Sequence, residues 1–152
     1  MFHKLQDIAS AIALRISNIG DSPFLRVSTA SVSDGGALLE HVKSVSLWPS
    51  ATVLLGNGTF EQGGNLRKFT VAIIAAAEFA SKEDRKAAAL WTAVDALSNE
   101  FVAEPGASPT LLDGLPCVVA MEPKGWSHAA AERLSAFTLE IELTEVQHTT
   151  TE

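Results

Sequence analysis

Two short stretches carry residue types and spacings that chemistry could use: GTFEQGGN, Gly58–Asn65, and GWSHA, Gly125–Ala129. The first has the glycine spacing of a phosphate-binding loop, in which backbone N–H groups cradle phosphate oxygens and a lysine neutralises them. Gly64 stands where that lysine belongs and Asn65 where the Ser or Thr belongs. An apolar strand pattern follows instead of a helix, so no helix N-terminus would gather the amides. The stretch reads as a mobile hairpin tip. The second partly matches a nucleophile elbow, a turn that presents a serine directly after a strand and before a helix. Pro123 and Lys124 interrupt that junction, and no acid and histidine follow in usable context except Glu132 and His148. Ser127 therefore reads as a cap or turn residue within a linker, KGWSHAAAERLS, that contains a helical turn.

The four histidines, His3, His41, His128 and His148, form no pair at metal-ligand spacing. His41 reads as solvated, and His128 with Glu132 four residues on supports a turn. Cys117 sits between Pro116 and Val118 in a predicted strand, where a small buried hydrophobe belongs. No base or cation next to it would stabilise a thiolate. The residues thus nominate no catalytic, cofactor or metal site, and the expectation is a protein that is not an enzyme.

Bulk properties narrow the classes further. A chain of 152 residues suits one domain, taken as 1–146 with a flexible tail over 147–152. One cysteine excludes an intramolecular disulfide and fits a reducing cytoplasm. Asp7 and Gln6 interrupt any signal-peptide core, and the longest apolar run, Val71–Ala77, is too short for a bilayer, so no membrane partner is expected. Eighteen acidic against eleven basic residues, a net charge of −7, disfavour specific nucleic-acid binding.

The elements that would position these residues follow from periodicity. Leu5, Ile8, Ala9, Ile12 and Ile16 repeat at helical spacing up to Asn18-Ile19-Gly20. FLRVSTASV is a short strand or an extended link. Ser33 or Asp34 caps a second helix to about Val45, with Leu38, Leu39 and Val42 on its stripe. ATVLL is a strand, and Gly56-Asn57-Gly58 is turn chemistry. RKFTVAIIAAAE, nearly continuous in apolar residues, is a central strand covered on both faces. Ser81 and Asp84 open a helix to about Asn99, with Leu90, Trp91, Val94 and Leu97 near its buried side. EPGASPTLLDG is a loop and LPCVVAMEP a strand. In AFTLEIELTEV, Phe137, Leu139, Ile141 and Leu143 face one way and Glu140 and Glu142 the other. The order predicts an α+β fold, a mainly antiparallel sheet of four or slightly more strands with helices packed on one face. Trp91 reads as core. Trp48 and Trp126 lie beside loop residues and read either as interface anchors or, equally, as core.

The succession of LWPSATVLLGNG, RKFTVAIIAA, RKAAALWTAVDALSNEF, LPCVVAMEP and AFTLEIEL resembles the small tail proteins of Mu-like phages and prophages. That family is similar in layout to the tail terminator proteins of long-tailed phages, and the resemblance spans nearly the whole chain. It implies a structural subunit that assembles into a ring, a hexamer, capping the tail tube and meeting the head connector. Its partners would be copies of itself, the tail tube protein and the head–tail connector protein, first in the host cytoplasm and then in the virion tail. The strands Ala51–Leu55, Lys68–Ala77 and Phe137–Leu143 and the loop Gly56–Asn65 carry the resemblance. The linker Gly106–Leu115 and the extra GGNL have no counterpart in it.

Sheet borders are templates for pairing unless blunted, so edges and tips become the expected contact regions. The candidate oligomer or tube interface comprises Trp48, Asn57, Phe60, Glu61, Asn65, Arg67, Lys68, Trp126, Glu140 and Glu142. Lys68 on one strand and Glu140 and Glu142 on another would set register between subunits by opposite charge. Two other classes compete with assembly. A small ligand-binding or regulatory domain would show an apolar pocket with convergent polar groups. An enzyme would show a cluster of titratable groups.

Overall fold

The computed structural model describes residues 1–30, 49–78, 84–102, 112, 114–131 and 134–147. Helix α1 spans Leu5–Ser17, strand β1 Arg26–Ala30, β2 Ser50–Glu61 and β3 Leu66–Glu78. Helix α2 spans Asp84–Phe101, β4 Val118–Ala131 and β5 Leu134–Val146. The predicted second helix to Val45, the cap at Ser81, Trp48, most of the loop before Cys117 and the tail from His148 lie outside the described residues.

The fold is α+β, with one five-stranded sheet in the order β1-β2-β3-β5-β4. It differs from the expected sheet at β1. The stretch read as strand or link is a strand, and it pairs parallel with β2, Arg26 to Ser50 through Ala30 to Leu54, which makes the sheet mixed. A parallel partner needs a crossover longer than a hairpin, and nineteen residues, 31–49, separate the two strands. The remaining three pairings are antiparallel.

Helix α1 forms because Ile8, Ile12 and Ile16 recur one turn apart and are all buried. Asp7 in the first turn and Arg15 in the last suit the helix dipole. Leu90, Ala93, Leu97 and Phe101 make the corresponding stripe of α2. Both stripes join one core with Val53, Val71, Ile73, Ala75, Leu139, Ile141 and Leu143, so both described helices lie on one face of the sheet. Each large aliphatic buried there stabilises the fold by about 1.5–3 kcal/mol. Arg15 ties the helices together: its Nε donates to Glu100 Oε1 at 2.7 Å, its Nη2 to the Glu100 carbonyl at 2.9 Å, and its guanidinium lies 4.9 Å from the Phe101 ring centre.

Strand β3 is the middle strand of the five, as its continuous apolar run requires. Val71, Ile73 and Ala75 are buried on the helix face, and Ile74 and Ala76 on the reverse face, beside the buried Ser50 and Thr52 of β2. In β5 the alternation holds as read: Phe137, Leu139, Ile141 and Leu143 are buried and Glu140 is exposed.

Three local expectations are corrected. Trp91 is 56% exposed rather than core, because Leu90 and Ala93 take the buried positions of α2 and turn it outward. Gly56-Asn57-Gly58 is not the hairpin turn but lies within β2, and the chain reverses at Gln62–Gly64. KGWSHAAA is not a linker or a helical turn: it continues β4, paired residue by residue with β5 from Gly125 to Ala131.

Candidate functional site

The two sides of the sheet end differently. On one side β1 covers β2 only as far as Leu54, so Leu55–Glu61 carries no strand on its outer flank among the described residues. Gly56 to Glu61 are all exposed. With β3 this stretch forms a projecting arm whose tip turns through Gln62, Gly63 and Gly64, at φ of 52°, 65° and 91°. Two glycines there relieve the strain that side chains meet at positive φ. A register shift between Leu55 and Gly58 bulges the strand at the base of the arm. Gly58 is required at that place: a Cβ on it would stand 2.6 Å from the Lys68 carbonyl oxygen and 2.7 Å from Phe69 Cβ.

A buried ion pair anchors the arm. Arg67 donates from Nε to Glu145 Oε1 at 3.0 Å and from Nη2 to the same oxygen at 2.5 Å. The Glu145 side chain is 0% exposed. Its Oε2 accepts the His3 N–H at 3.2 Å, and the His3 carbonyl accepts Arg67 Nη2 at 2.9 Å. The His3 ring completes the clasp, its Nε2 accepting the Cys117 N–H at 3.1 Å, which places the ring proton on Nδ1. Arg67 also lies over the rings of Phe2 at 4.7 Å and Phe69 at 5.5 Å. Phe2 leans on Phe60 at 6.2 Å, leaving Phe60 68% exposed. Leu5, Leu55, Phe60, Arg67 and Phe69 line an open cavity of about 200 Å³ at the arm's base.

On the other side β4 pairs with β5 alone among the described residues, so its outer flank is the second open border. Its first half is blunted. Register shifts fall at Val119 and Lys124, Pro123 has no N–H to offer, and Lys124 reaches Glu122 at 3.4 Å and Glu142 at 3.9 Å. From Gly125 the strand is regular, and here aromatic rings gather. Phe137 is buried, and around it stand Trp91 at 5.3 Å, Trp126 at 5.5 Å and His128 at 4.7 Å between ring centres. Trp126 is 58% exposed. His128 Nε2 lies 2.7 Å from Ser135 Oγ.

The candidate residues therefore fall into two groups. Asn57, Phe60, Glu61, Asn65 and Lys68 belong to the arm, where Lys68 meets Glu61 of its own chain at 3.4 Å. Trp126 belongs to the β4 border, with Glu140 paired to Gly125 and Glu142 to Glu122 beside it. Arg67 turns inward to Glu145. Ser127 lies mid-strand opposite Thr138, so the tight turn of a nucleophile elbow does not form there. The clasp of His3, Arg67 and Glu145 escaped the sequence reading, although a signal existed: Glu145 follows Leu143 in the buried phase of β5, and a carboxylate in that phase demands a buried partner. No family model matches the chain, and no curated protein matches it either.

Proposed function

We propose that the chain is a structural phage or prophage tail protein, a tail terminator that caps the tail tube as a hexameric ring and joins it to the head connector. One observation carries this reading: among the described residues, the sheet ends in two open backbone borders, the arm of β2 and the strand β4, on opposite sides. A subunit with two unlike borders adds copies head to tail, and such contacts close into rings when the rotation permits. Exposed aromatics on both borders supply the anchors that protein contacts favour. Assembly would take place in the host cytoplasm, and the finished ring would belong to the virion tail.

The test is to add the chain to polymerising tail tube protein. Capped tubes of limited length are expected, whereas tube growth unchanged by an excess of the chain would contradict the reading. The second reading, a small ligand-binding or regulatory α+β domain without catalysis, draws support from the cavity beside Leu55 and Phe69. It is the weaker one, because the charged group there, Arg67, already commits its Nε and Nη2 to Glu145 and His3.

A further inference from the structure

We infer that the arm of one copy pairs antiparallel with the β4 border of the next, with Phe60 of the arm opposite Trp126. This rests on the self-assembly reading above and specifies the contact it needs. Four features of the fold converge on this register.

The first is direction. β2 is antiparallel to β3, β3 to β5 and β5 to β4, so β2 and β4 run opposite ways in one subunit. Copies related by rotation about an axis to which the strands are tilted by well under 90° therefore offer β2 antiparallel to the neighbouring β4, and the sheet continues across the contact. The second is length. The open stretch of β2 is Leu55–Glu61, and the regular stretch of β4 beyond its bulge is Gly125–Ala131. Setting Phe60 against Trp126 puts Glu61 against Gly125 and Gly58 against His128, and past the bulge at Gly56-Asn57 it brings Leu55 to the level of Ala130, so the stretches match over Gly125–Ala130. β1 of the incoming copy covers β2 up to Leu54, so β1 and β4 meet only at the last residue of β4, Ala131. Neighbouring copies are staggered along the strands by six residues of β3, roughly 20 Å. A stagger of this kind is what strands tilted within a closed ring produce.

The third feature is the aromatic face. Phe60 pairs with Arg67 and Trp126 with Leu139, and both positions lie on the helix-bearing face, so the exposed rings meet as a cross-strand pair. His128 falls opposite Gly58, which has no side chain to obstruct it. The fourth is charge. Glu61 reaches Lys68 and Lys124 reaches Glu142 on the reverse face, so the incoming Glu61 lands beside Lys124. In a chain of net charge −7, an acid meeting a base at the contact opposes the general repulsion between copies.

The test uses two single variants, Thr59→Cys and Ser127→Cys, which this register places directly opposite each other. Antiparallel partners stand about 4.5–5.5 Å apart at Cα, within disulfide reach. Cys117 is buried and stays in place. The variants are oxidised singly and as an equal mixture, and the molar mass of each sample is followed up to millimolar concentration. A cross-link formed at least tenfold faster in the mixture than in either variant alone is the expected result. Trp126→Ala should raise the dissociation constant tenfold or more while circular dichroism stays unchanged. Ser127→Cys linking to itself as fast as in the mixture would overturn the inference in favour of β4 pairing with β4. Oligomers that form without the mixed cross-link would also overturn it while leaving self-assembly standing. A chain that remains monomeric throughout overturns the contact, and the tube-capping assay then decides the parent reading separately.

Discussion

The two open borders of this sheet are built on different physics. The arm is held from within by a buried carboxylate, a guanidinium and a histidine main chain, and it shows the solvent one phenyl ring. Among the described residues the far half of β4 has no charge network, and its rings, Trp126 and His128, lean on Phe137. A buried ion pair fixes geometry, since removing one partner strands the other without solvation. Exposed rings contribute little to the free subunit and much to a partner that covers them. The contrast puts an anchor inside the arm at Arg67 and, under the proposed assembly, adhesion on β4.

The largest effect expected from breaking the contrast comes from Arg67→Ala. It leaves the wholly buried Glu145 facing one backbone N–H and should cost about 3–5 kcal/mol, read as a lower denaturant midpoint. Arg67→Met with Glu145→Leu should recover most of that loss, because no charge then remains buried. Gly58→Ala comes next, at about 1–3 kcal/mol, since its Cβ collides with the backbone of Lys68. Hydrogen exchange should show faster amides in the arm than in β5 of that variant.

On the other border the effects on folding shrink. Trp126→Ala removes one ring from the cluster around Phe137 and should cost about 0.5–1.5 kcal/mol of stability by chemical unfolding. The smallest effect is Glu61→Gln. The pair it breaks with Lys68 is exposed on both sides, and thermal unfolding should register under about 1 kcal/mol. An Arg67→Ala no more damaging than Glu61→Gln would dissolve the distinction between the borders.

The same contrast separates what the sequence revealed from what it hid. Periodicity is a local property, and it located α1 through Ile8, Ile12 and Ile16 and the faces of β5 through Phe137 to Leu143. It failed where distant contacts decide. Gly56-Asn57-Gly58 looked like a turn because glycine and asparagine favour turns, yet Gly58 is there for the close approach of β3, which only the paired strand reveals. Trp126-Ser127-His128 looked like a linker because of Pro123 and Lys124, but both act as edge devices on a strand that resumes after a bulge. Arg67 read as a surface contact because its partners, Glu145 and His3, are far away in sequence. Of the candidate interface, the arm and Trp126 were legible as exposed features, whereas their lying on opposite borders followed only from the strand order.

The central claim, that these borders join copies of the chain, meets its most direct test in the molar mass of the wild-type protein against concentration, by sedimentation equilibrium. The expected result is a rise from monomer to one closed oligomer, which Trp126→Ala suppresses. A mass that stays at the monomer value across the whole range would contradict it.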